Sequence, residues 1–443
     1  MTKPNKISIA LLAAAVLATS GCAMFKKKAV KTPVIGQRIA ILSSEGAVET
    51  DPDLRAQPMS LPAPVENSEW SQSGGSASKS MGQLALGSSL GQVWKTSIGK
   101  GSSLTARLAA EPIVAAGRVY TIDTMGSVRA TDASSGAAVW ATQTPVDKGN
   151  EVSLYGGGLA FDNGRIFATN GLGYVVALDA ATGASVWQVR PGGPLRGAPS
   201  VAGGALYVMS QDNQIYSLNT ADGSTNWSAA AALEIAGVFG SGSPAVAQGT
   251  VVAGFSSGEL NAYRYENGRQ VWQDALQRTS ITTSVSTLSD IDADPVIDNG
   301  QVFAVGQGGR MVALDLNTGQ RLWETNIAGI STPWVAGDWV FVVTDDAKLI
   351  CFSRANGHIR WINQLPGYRQ AKKKKGELDY TGPILAGGRL LVVGTSGSII
   401  NFDPETGSYQ NQYEIRVTIS LPPVVANSTL YVLDDLGTLH AFR

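Results

Sequence analysis

The stretch Ala177-Leu178-Asp179-Ala180-Ala181-Thr182-Gly183-Ala184-Ser185-Val186-Trp187 decides the fold, because it returns as Ala313-Leu314-Asp315-Leu316-Asn317-Thr318-Gly319-Gln320-Arg321-Leu322-Trp323. A strand ends at Asp, a turn closes on Gly, and a second strand opens that carries Trp. Asp bonds the backbone of its own turn, while Gly takes the left-handed conformation that a Cβ disfavours. Working outward, the same phrase ends at Trp94, Trp140, Trp187, Trp227, Trp272, Trp323 and Trp361. Six of these close full thirty-residue units, Glu111–Trp140, Gly158–Trp187, Ala198–Trp227, Ser243–Trp272, Asp294–Trp323 and Thr332–Trp361.

Three turns separate four short strands in each unit. Asn163-Gly164 and Asn299-Gly300 are hairpin turns by residue type, and Val, Ile, Tyr and Phe fill the strands. The Trp-to-Trp step averages about 44 residues, and four strands at that period predict a propeller blade. A seventh unit, Gly382–Asn411, has Asn411 in place of Trp. An eighth begins at Pro422 and stops at Arg443, and Gly87–Trp94 supplies its missing end. The expectation is an all-β, eight-bladed propeller whose last blade is closed by an N-terminal strand, leaving no open edge in the ring. An aromatic repeated once per blade reads as packing, so the seven Trp are structural.

The N-terminal segment follows other rules. Lys3 and Lys6 precede the apolar run 7–18, which is too short to span a bilayer and reads as a signal peptide. Thr19-Ser20-Gly21-Cys22 resembles a lipobox, which implies cleavage before Cys22 and acylation of its thiol. Ala23 in the next position implies sorting to the outer membrane. The domain reading is therefore 1–21 signal peptide, 22–66 flexible tether and 67–443 propeller. A tether of this length would span about 35–40 Å.

Composition narrows the function. Charged residues make up 16% of the chain and the net charge is −1, which gives no field for nucleic acid. Cys351, in an apolar run, reads as a small buried hydrophobe. With two Cys and two His in all, the sequence has no Cys-x-x-Cys or His-x-x-x-His spacing, and it has no nucleophile elbow or phosphate loop. No catalytic residue, metal or cofactor is expected. The basic run Lys372–Lys375 reads as a solvated loop.

The Ala-x-Asp-x-x-Thr-Gly-x-x-x-Trp phrase resembles the PQQ-like repeat of quinoprotein dehydrogenases, but the vicinal Cys pair of those enzymes is absent. From Trp70 to Arg443 the sequence resembles the BamB family, propeller lipoproteins of the outer-membrane β-barrel assembly machinery. That resemblance implies a non-enzymatic scaffold for the folding and insertion of outer-membrane proteins. Its implied partners are the POTRA domains of the central barrel protein, the other assembly lipoproteins, and the outer membrane through a lipid anchor. Carried onto this chain, the partner-binding residues are Asp290 and Asp292 before the fifth unit, and Leu233 and Ile235 after the third. Ala236 stands where the family has a basic residue. The competing readings are a PQQ-dependent enzyme and a binding module of another envelope complex.

Overall fold

The computed structural model describes residues 48–150, 154, 156–233, 242–276 and 289–443. Cys22, Ile235 and Ala236 lie outside the described residues, as does the signal peptide. Eight four-stranded antiparallel sheets form the blades. In blade 3 the strands run Ser200–Ala202, Ala205–Met209, Gln214–Asn219 and Thr225–Ala230, each paired with the next. Blade 8 combines Val424–Ala426, Thr429–Leu433 and Thr438–Phe442 with Gln92–Ser97, in a register from Gln92–Phe442 to Ser97–Thr438. The split blade expected from the sequence is present.

The Trp repeat joins one blade to the next. Trp94, Trp140, Trp187, Trp227, Trp272, Trp323 and Trp361 each donate their indole N–H to a carbonyl of the following blade, at 2.7–3.2 Å. The acceptor lies in the turn before that blade's outer strand. The same turn presents the repeat Gly to the face of the ring: a Cβ on Gly357 (φ +72°) would sit 2.6 Å from Trp323. In the six full units that end in Trp, the outer pair shifts register beside the Trp. Such a bulge strengthens the local twist and swings the ring toward its neighbour. Asp179 and Asp315 hold the turn as expected, each accepting from two backbone N–H groups and one Thr hydroxyl.

The exception at Asn411 now has a reason. Its neighbour is blade 8, whose last two strands, Thr438–Phe442 and Gln92–Ser97, are not joined by a turn, so there is no turn Gly to receive a ring. At this seam Gly91 and Arg443 pair, Gly91 N–H to Arg443 O at 2.6 Å and Arg443 N–H to Gly91 O at 3.0 Å.

The tether expected over 22–66 needs correction at its C-terminal end. From Val48 onward the chain belongs to the compact unit. Asp51 caps the short helix α1 (Pro52–Ala56) and meets His358 Nδ1 at 2.7 Å. Arg360 donates to Leu54 O and Trp339 to Ser60 O. These are contacts with blade 6, which sequence periodicity could not register because they satisfy isolated backbone groups. Cys351 is fully buried, as read. The Lys372–Lys375 run lies in an exposed hairpin between blades 6 and 7, formed by Tyr368–Gln370 and Lys375–Glu377.

Candidate functional site

Antiparallel blades present two faces. One carries the links from each outer strand to the next inner strand, together with the middle turns. The other carries the first and last turns of each blade. The link face opens into a funnel of about 1270 Å³, lined by segments that include Arg107–Ala109, Pro194–Ala198, Asp292, Ile330–Thr332, Asp379–Ile384 and Arg416–Pro422.

Asp290 and Asp292 lie in the link entering blade 5 and converge on Arg196, in the link entering blade 3. Arg196 Nη2 is 3.3 Å from Asp290 Oδ1 and 3.7 Å from Asp292 Oδ1. Asp290 is 0% exposed and the Asp292 side chain 8%. Their charge faces Arg196. The backbone around them is fixed too. Ile291 N–H donates to Phe255 O at 3.2 Å, Gln307 N–H to Asp290 O at 2.9 Å, and Ser289 Oγ to Ser256 O at 2.9 Å. The ion cluster thus sets the shape of a link.

Burial, reinforced by Asp290 and opposed by Arg196, pushes the Asp292 carboxyl up to about 7, and burial pushes Asp345 up to about 6. A raised carboxyl pKa means that the folded state holds a proton the unfolded chain has released. The stability it contributes is present at low pH and is lost as pH rises through 7. Asp292→Asn should therefore flatten the fall in melting temperature between pH 5 and pH 8, measured by thermal unfolding. Identical slopes for variant and wild type would contradict this.

Leu233 is 70% exposed beyond the outer strand of blade 3. Leu104, Ile330 and Leu436 are further exposed apolar residues on links and middle turns. The two regions expected from the sequence therefore share one face. They differ in kind, since Leu233 offers apolar surface and the Asp pair offers internal order.

Sequence reasoning missed Arg196 and the floor of the funnel. There Lys79, 2% exposed, donates to Ser73 O at 2.8 Å and Ser200 Oγ at 2.9 Å, with Asp294 at 4.0 Å. Ser73 Oγ bonds Glu111 and Asp294, both at 2.8 Å. Burial pulls the Lys79 pKa down, opposed by Asp294 and Glu111, and pushes Glu111 up. The available signal was that Glu111 and Asp294 open their units with acids, where the others carry small residues or Pro.

The family model for outer membrane protein assembly factor BamB matches residues 124–363, more than half of the chain. The chain belongs to the BamB family. Among BamB relatives, the Yersinia pestis protein is 27% identical over 357 residues, covering 79% of this chain and 88% of that one. The Escherichia coli K12 protein is 27% identical over 393 residues, covering 79% and 87%. The crystal structure of BamB from Moraxella catarrhalis superposes with a TM-score of 0.68 at 20% identity, covering 80% of this chain and all of that one. Quinohemoprotein alcohol dehydrogenase from Comamonas testosteroni gives 0.63 at 14% identity, covering 85% and 81%. At these identities the structural likenesses show the fold alone, which BamB proteins and quinoproteins have in common.

Proposed function

We propose that the chain is a lipid-anchored scaffold that docks by its link face on the periplasmic POTRA domains of the central outer-membrane barrel protein. The family match over residues 124–363 carries this reading, and the chain is an outer membrane protein assembly factor associated with that membrane from the periplasmic side. In the finer reading, acylated Cys22 holds the protein at the membrane, where other assembly lipoproteins join the complex. Leu233 and Ile235 give apolar contact, while Asp290 and Asp292 act by holding the link into blade 5 against Arg196. A central apolar anchor supported by a fixed surround is the usual economy of a protein interface.

The non-enzymatic reading draws support from the floor of the funnel, where Ser73 and Lys79 of the chain itself bond Glu111, Ser200 and Asp294. A quinoprotein-like activity would show as stoichiometric PQQ binding with dye-linked oxidation. For the scaffold, full-length protein purified from detergent-solubilised membranes should bring the barrel protein with it. Asp290→Ala/Asp292→Ala should reduce that recovery about tenfold or more, the loss expected when the buried charge pairs that shape a link beside an interface are truncated. Equal recovery from wild type and variant would overturn the assignment of these residues.

A further inference from the structure

A propeller leaves eight inner-strand edges facing its central channel, each with backbone groups that need partners. On seven of the eight those partners come from one segment. Val114, Phe161, Val246 and Ile297 donate their N–H groups to the carbonyls of Trp70, Ser71, Ala77 and Ser78, at 2.7–2.8 Å. Val201 N–H donates to Gln72 Oε1 at 2.9 Å. All five donors occupy the fourth position of their units, so the segment reads the same place in five consecutive blades. The other three blades are reached as well. Trp334 Nε1 donates to Gly82 O, Leu84 N–H to Leu385 O, and Asn67 Nδ2 to Val425 O, at 2.7–3.0 Å.

The segment then crosses the seam where no Trp clamps blade 7 to blade 8. Arg389 Nη2 donates to Gly87 O at 2.7 Å, and Leu90 N–H to Tyr413 Oη at 3.1 Å. Lys79 and Ser73 tie its middle to Glu111, Ser200 and Asp294, which belong to blades 1, 3 and 5.

We propose that the eight inner-strand edges form a binding channel for an extended peptide, and that residues 67–90 of this chain are its resident occupant. The occupant closes the funnel from below and straps the seam of the ring. Edges satisfied in this way cannot take a strand from another protein, so any strand addition by a partner must use the outer strands or the links. A planar cofactor on the channel axis would have to displace the segment.

Amide hydrogen exchange on the full-length protein tests this directly. In wild type, the amides of Val114, Phe161, Val201, Val246 and Ile297 should be protected like those inside the ladders, such as Val208 and Val252. Replacing residues 70–83 with a Gly-Ser sequence of equal length should speed exchange at those five amides by ~100-fold or more, with the ladder amides unchanged. Free-edge exchange rates in wild type, or unchanged rates in the folded variant, would overturn the proposal. Should the variant fail to fold, the wild-type rates decide.

Discussion

Trp323→Ala is expected to destabilise the propeller by about 3–5 kcal/mol, the range for truncating a large buried aromatic. Three losses combine. The ring packs between Phe303 and Phe352, with centroids 6.1 and 6.0 Å away. Its N–H holds Arg354 O at 2.8 Å, and its face covers Gly357, where nothing else can fill the space. Leu322, beside it on the same strand, is 44% exposed, and Leu322→Ala should cost less than about 1 kcal/mol. Urea unfolding of the two variants gives the comparison. Similar losses from both would mean that the repeat Trp is not what joins the blades.

Lys79→Met should cost about 3–5 kcal/mol, although methionine fills nearly the same volume. The loss is electrostatic and polar: Asp294 and Glu111 keep their buried carboxyls without the ammonium, and Ser73 O and Ser200 Oγ lose their donor. Adding Asp294→Asn should restore part of the stability, because residues in one buried network are not additive. Strict additivity in the double variant would show that the charge cluster does not hold the occupant in place. The deficit should also appear as faster exchange at the inner-strand amides, which links this prediction to the channel.

The blades were legible in the sequence because everything that makes a blade is local. Alternating apolar residues, the Asp-x-x-Thr-Gly turn and the closing Trp recur within thirty residues, and their count includes the split eighth unit. The tether boundary and the channel occupant were not legible. Residues 49–90 have no period, since their bonds are spread over all the blades and many of them ask only for a backbone group. Lys79 looks like an ordinary lysine in a Ser-Gly run until the ring brings Glu111 and Asp294 to it. Arg196 and Asp290 are 94 residues apart in the chain, so nothing local announces that the two charges cancel. The resemblance singled out the link into blade 5, and the fold turns its two acids inward onto Arg196.

The most direct test of docking by the link face is site-specific photo-cross-linking in cells. A photoreactive side chain at Leu233, on the link face, is compared with one at Asn163, in a first turn on the opposite face. Docking through the links predicts adducts with the barrel protein's periplasmic domains from Leu233 and none from Asn163. Adducts from Asn163 alone, or equally from both positions, would contradict it.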